Sequence, residues 1–115
     1  MITDSIHILL IEDDLDDVLI LKEALAESAT QQFQVTHAGR LDKGLDCIAV
    51  EMFDVILLDL NLPDSRGLDT LKTLLQHTSL MPVVVMSGLA DEALALQAIQ
   101  QGAENYLVKG SLMVK

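Results

Sequence analysis

Five positions in this 115-residue chain carry groups suited to a charged oxygen ligand: Glu12, Asp13, Asp59, Ser87 and Lys109. Each comes at the end of an apolar run. Ile6 to Ile11, broken only by His7, leads into Glu12-Asp13. Val55-Ile56-Leu57-Leu58 leads into Asp59, and then into Leu60-Asn61-Leu62-Pro63-Asp64. Val83-Val84-Val85-Met86 leads into Ser87-Gly88, and Asn105-Tyr106-Leu107-Val108 leads into Lys109. An apolar run without polar alternation suits a strand buried on both faces, as in a parallel sheet. The residue that follows it then sits at the strand's carboxyl end, the edge where open α/β sheets collect ligands.

Brought together on one rim, these groups define a chemistry. Two unit charges about 4 Å apart repel by roughly 4 kcal/mol at an effective dielectric near 20. Three converging carboxylates therefore need a cation, or must hold a proton at neutral pH. Hard oxygen ligands without Cys or His in the pattern suit Mg²⁺, with Mn²⁺ as an alternative, better than Zn²⁺. Lys109 adds an ammonium and Ser87 a hydroxyl. A metal, an ammonium, a hydroxyl and one forward carboxylate suit a phosphoryl group, whose transfer depends on positioning and on neutralising its oxygens. A carboxylate can be the nucleophile, giving an acyl phosphate. Asp59 takes that role, because it lies between the metal pair Glu12-Asp13 and the Ser87/Lys109 pair.

The elements that must position these groups follow from periodicity. After the first strand, Asp14 or a neighbour caps a helix, with Asp16 and Asp17 in the first turn where the helix dipole favours negative charge. Val18, Leu21 and Leu25 carry it to about residue 29. Residues 33–37 alternate as a short, more exposed strand. Leu41, Leu45, Ile48 and Met52 mark a second helix, despite Gly44. Leu68, Leu71, Leu74 and Leu75 mark a third, and residues 90–101 a fourth, with Gly102 as its C-terminal cap. The pattern is βαβαβαβαβ, which predicts an α/β, flavodoxin-like, doubly wound five-stranded parallel sheet of order 2-1-3-4-5. Only six residues follow Lys109, so the fifth helix that would cover the last strand is expected to be missing or truncated.

Composition narrows the function further. Eighteen acidic against seven basic residues give a net charge of −11, which repels phosphate backbones and anionic membranes. No direct nucleic-acid or membrane binding is expected. The single cysteine, Cys47, fits a reducing compartment and reads as a small buried hydrophobe. No signal-peptide pattern or membrane-length apolar run is present, so a soluble cytoplasmic protein is expected. His7, His37 and His77 lie on different elements and are read as packing or solvent residues. No P-loop or GxGxxG appears, which disfavours nucleotides.

The ordered set Leu9-Leu10-Ile11-Glu12-Asp13-Asp14, Leu57-Leu58-Asp59-Leu60-Asn61-Leu62-Pro63-Asp64 with Gly67, Val84-Val85-Met86-Ser87-Gly88 and Gly102-Ala103-Glu104-Asn105-Tyr106-Leu107-Val108-Lys109 resembles the receiver domains of two-component response regulators over nearly the whole chain. The resemblance implies that Asp59 accepts a phosphoryl group from a phosphohistidine, on a sensor histidine kinase or a histidine phosphotransfer protein. It implies that Asp13, Asp59 and the backbone carbonyl of Asn61 bind Mg²⁺ directly, with Glu12 acting through water. Ser87 and Lys109 would bind phosphoryl oxygens, and inward movement of Ser87 would couple to rotation of Tyr106. The chain would catalyse its own phosphorylation and hydrolysis and turn over no independent substrate.

Three features depart from the family pattern. Gly110 stands where a cis-proline commonly follows the lysine, Leu89 is apolar where polar residues are frequent, and the fifth helix is absent. Residues 1–115 are read as one receiver domain, an N-terminal fragment of a longer protein with an output domain beyond Lys115, and the uncovered last strand predicts self-association as a homodimer. Two other readings stay open. One is a small Mg²⁺-dependent phosphatase with an aspartyl nucleophile, although Asn61 stands where such enzymes carry a second acid. The other is a degenerate receiver acting as a constitutive interaction module.

Overall fold

The computed structural model describes residues 5–88 and 91–109. Strand β1 (Ser5–Ile11) is followed by helix α1 (Leu15–Ala26), β2 (Gln32–Ala38), α2 (Leu41–Val50) and β3 (Val55–Asp59). Two short strands, β4 (Asn61–Leu62) and β5 (Ser65–Arg66), then precede α3 (Leu68–His77), β6 (Val83–Ser87), α4 (Glu92–Gln100) and β7 (Asn105–Val108). The five long strands form one sheet in the order β2-β1-β3-β6-β7, every pair parallel. Counting only those five, the order is 2-1-3-4-5, as the alternation of apolar runs and amphipathic segments predicts.

Alternate residues of the central strands face opposite layers. Leu9, Ile11, Ile56, Leu58, Val83 and Val85 point into the larger core, against Leu41 of α2 and Leu71 and Leu74 of α3. Ile8, Leu10, Leu57 and Met86 point the other way, against Val18 and Leu21 of α1. Full burial of each such side chain contributes about 1.5–3 kcal/mol, so the strands cannot shift register without exposing a whole row. Among the described residues α1 alone covers this second face, and Val55, Val84 and Leu107 on it remain partly exposed. The departures at Leu89 and Gly110, and the expectation about a fifth helix, fall outside the described residues. No helix among the described residues is long and apolar enough to cross a membrane.

Several local features differ from the periodicity reading. Helix α1 ends at Ala26 rather than near residue 29, because Ser28 and the chain after it turn toward β2, where Ser28 Oγ accepts from the Gln31 N–H. Helix α2 ends at Val50, so Met52 lies beyond it, exposed. Gly44 is not a weakness in that helix. A Cβ at this position would collide with Ile11 Cδ1, so glycine is what lets α2 lie close on the tip of β1. Gly102 does cap α4 as expected: its φ is +122°, and the Ala103 N–H donates back to Ala98 O at 3.1 Å. The Pro63-Asp64 turn is the tip of the small β4–β5 hairpin.

Asp64 has a second task that spacing could not reveal. Helix α2 is preceded by Arg40 at its N-cap, which makes no side-chain cap. Asp64, from beyond β3, supplies it: Oδ1 accepts from the Leu41 N–H, 23 positions away, at 2.9 Å, and Oδ2 from the Asp42 N–H, 22 positions away, at 3.0 Å. Partial burial disfavours the charged form, but these two donors and Arg40 outweigh it and hold the Asp64 carboxyl below its usual range. Replacement by Ala is expected to cost about 1–2 kcal/mol in chemical denaturation, as for a lost helix cap. Because the folded pKa is depressed, this contribution is present above the unfolded carboxylate pKa of about 3.9 and lost as pH falls through the folded value. The wild-type and Asp64→Ala stability curves should therefore converge in acid.

Candidate functional site

The register of the sheet assembles the site. Ile11 pairs with Leu58, so Glu12 and Asp59 follow at the same level on adjacent strands. Asp59 pairs with Met86, and Ser87 pairs with Val108, so Ser87 and Lys109 come next along the rim. All five sequence-predicted groups thus lie on one edge. Carboxylate oxygens of Glu12, Asp13 and Asp59 all lie within 4.8 Å of one another. Glu12, Asp59 and Ser87 are buried, whereas Asp13 is exposed.

The β1–α1 loop is built to hold acids close together. Asp14 Oδ1 accepts from the N–H groups of Asp16 and Asp17, capping α1. Glu12 Oε2 accepts from the Asp14 N–H at 3.1 Å. His37, set aside from sequence as a packing or solvent residue, belongs to this rim. Its Nε2 lies 2.6 Å from the Glu12 carbonyl oxygen and steadies the loop from the end of β2. Histidine alone carries no signal for such a backbone contact, and only the edge position of β2 creates it.

Lys109 is the cation of the site. Its Nζ lies 2.7 Å from Glu12 Oε1, 3.1 Å from Asp17 Oδ2 and 3.5 Å from Asp59 Oδ1. The approach to Glu12 is an ion pair off the hydrogen-bonding angle, while the contact to Asp17 is a hydrogen bond. Burial lowers the lysine's affinity for its proton, but the carboxylates outweigh it and hold the ammonium charged well above the usual lysine range. The sequence reading grouped Lys109 with Ser87. Lys109 does border one pocket with Ser87, but its ion contacts go to the acids, because three carboxylates attract an ammonium more strongly than a hydroxyl does. Asp17, read from sequence as a helix-dipole residue, is the member that reading missed.

Burial governs the two inner acids. It pushes the Glu12 carboxyl up to about 7, against the pull of Lys109 and the Asp14 N–H. It also raises the Asp59 carboxyl, against Lys109 and the hydrogen bonds that favour its charged form. Ser87 Oγ is buried and has no hydrogen-bond partner. It borders a pocket of about 230 Å³ that also meets Asp59, Asn61, Gly88, Asp91 and Lys109. An orphaned hydroxyl costs about 1–3 kcal/mol, so this pocket has an unmet donor beside a carboxylate and an ammonium. A larger groove, about 510 Å³, runs between the end of α1 and β2, but none of the five groups lines it. Tyr106 packs partly against the core, and its hydroxyl donates to Glu92 Oε2 at 3.2 Å.

Comparison with known proteins agrees with this geometry. The response regulator receiver domain matches residues 8–113. The chain belongs to that family. The transcriptional regulatory protein KdpE of Staphylococcus aureus is 37% identical over 102 residues, which cover 89% of this chain and 42% of KdpE. The cell cycle response regulator CtrA of Brucella ovis is 32% identical over 108 residues, covering 90% of this chain and 43% of CtrA. Full-length FixJ from B. japonicum superposes with a TM-score of 0.79 at 27% identity, over 97% of this chain and 55% of FixJ. The receiver therefore spans less than half the length of these two curated relatives.

The raised pKa of Asp59 means that ionising it costs folding free energy near neutral pH. Asp59→Asn, which removes that charge and keeps the shape, is expected to raise the melting temperature of the receiver in cation-free buffer. A calorimetric melt compared with wild type reads this directly.

Proposed function

We propose that this receiver is a phosphorylation-dependent switch in which Asp59 is the phosphoryl acceptor. The observation that carries the reading is the placing of a buried, forward carboxylate beside the partnerless Ser87 hydroxyl and within 3.5 Å of the charged Lys109 ammonium. An Asp59 oxygen attacks phosphorus. The new P–O bond forms as the P–N bond of a donor phosphohistidine breaks, and the imidazole leaves with the bonding pair. Ser87 and Lys109 take the phosphoryl oxygens. Hydrolysis unloads the site: water attacks phosphorus, the P–O bond to Asp59 breaks with the carboxylate leaving, and inorganic phosphate departs carrying the water's oxygen and protons.

The oxygen set of Glu12, Asp13 and Asp59 fits a divalent cation of the Mg²⁺ or Mn²⁺ kind, because all three reach a common point and none is nitrogen or sulfur. Asp13, Asp59 and the Asn61 carbonyl would hold it, with Glu12 acting through water. When bound it supplies positive charge against the phosphoryl oxygens. The residues do the rest: Glu12 and Asp13 position the charge, Asp59 supplies the nucleophile, and Lys109, 3.5 Å from Asp59, neutralises phosphoryl oxygens. The donor is a sensor histidine kinase or histidine phosphotransfer protein, and an output domain receives the signal. On this reading Tyr106 exchanges its Glu92 contact for an inward position as Ser87 engages the phosphoryl group.

Incubation with Mg²⁺ and acetyl phosphate should add one phosphoryl group, seen by intact-protein mass spectrometry and erased by Asp59→Asn or by chelation. Lys109→Gln and Ser87→Ala should each slow loading by about 100- to 1,000-fold, the scale of one lost stabilising contact to a developing charge. Retention of the added mass in Asp59→Asn would refute the assignment.

A further inference from the structure

Lys109 sits at the boundary of two spaces. On one side is the phosphoryl pocket, with Asp59, Asn61, Ser87 and Gly88. On the other is a small cleft under α1, bordered by Leu10, Glu12, Asp17, Ile20 and Met86. The ammonium has three N–H groups and faces three carboxylates. Its well-angled hydrogen bond goes to Asp17, on the α1 side, while Ser87 Oγ across the rim has no partner.

Asp17 is fixed from behind. It is the third residue of α1, and its N–H donates to the capping Asp14 Oδ1. Its carboxylate therefore cannot follow Lys109 far. The three acids also differ in what they can release. The Glu12 side chain is 1% exposed, so release of Lys109 would leave its charge buried, whereas the Asp17 side chain is 30% exposed. Water can solvate Asp17 when the ammonium leaves, at the small cost typical of a partly exposed ion pair.

From this geometry we propose that Asp17 is a positioning residue that restrains Lys109 on the α1 side and competes with the phosphoryl group for its ammonium. The inference rests on the assignment of Asp59 and Lys109 above. In the unloaded receiver Asp17 keeps the ammonium away from Ser87. When phosphoryl oxygens occupy the pocket, the ammonium turns toward them and Asp17 passes to solvent. Asp17 thus sets how easily the loaded arrangement is reached.

The test measures the affinity of the whole chain for beryllofluoride with Mg²⁺ by titration calorimetry, for wild type, Asp17→Asn, Lys109→Gln and the double variant. Asp17→Asn, which removes the charge and keeps the shape, is expected to bind about 3- to 10-fold tighter, the range of one partly exposed charge pair. That gain should vanish in the Lys109→Gln background, which a purely structural effect on α1 would not do. Asp17→Glu, which restores the charge, should return the affinity toward wild type. Unchanged or weaker binding by Asp17→Asn, or a gain that persists without Lys109, overturns the restraint while leaving the Asp59 assignment intact. Failure of wild type to bind beryllofluoride at all would overturn the Asp59 assignment itself, and the restraint with it.

Discussion

Two buried carboxylates on neighbouring strand tips, with one lysine across them, set the terms for the rest of this receiver. Electrostatics alone would drive Glu12 and Asp59 apart, and burial makes the repulsion worse. They stay together because the apolar rows below them have no freedom. Ile11 and Leu58 are fully buried partners in the sheet, and a slip of either strand would turn a whole row toward solvent. Hydrophobic burial thus holds a polar arrangement that the polar groups would not choose for themselves. The consequences are read in the groups: Glu12 is pushed to about 7, Asp59 is raised, and Lys109 is held firmly charged.

The acidity of the chain then resolves into separate tasks. Asp14 caps α1, Asp64 caps α2 from across the fold, and Asp54 Oδ2 accepts from the His7 N–H at the far end of β1. These carboxylates satisfy backbone donors, fix the ends of elements and leave the inner acids to the site. A helix start needs an acceptor near its first N–H groups, and it does not matter whether the acceptor is local or distant in sequence. The net charge of −11 is in part the sum of such local requirements.

Strand β7 joins the site to the opposite layer. Lys109 follows its last residue, and Tyr106, three positions earlier, packs toward the α4 side and donates to Glu92. Ser87 ends the strand beside it. Ser87, Lys109 and Tyr106 thus lie on or next to two adjacent strands, and among the described residues β7 has little covering on its α1 face. This contiguity is what the proposed coupling between Asp59 and the α4 surface rests on.

The sequence by itself determined the layers and the rim. Apolar runs of fixed length, alternating with helical stripes, leave few packings other than a parallel sheet covered on both faces, and each run ends in the residue that reaches its tip. Those are local signals, carried by periodicity, so they could be read in order along the chain. Tertiary structure alone decided which groups face each other. The Asp64 cap, the His37 contact to the Glu12 carbonyl, the fit of Gly44 over Ile11 and the capture of Lys109 by Asp17 each join residues more than 20 positions apart. None has a spacing rule, because distance in sequence does not limit a hydrogen bond or an ion pair once the sheet has closed the gap.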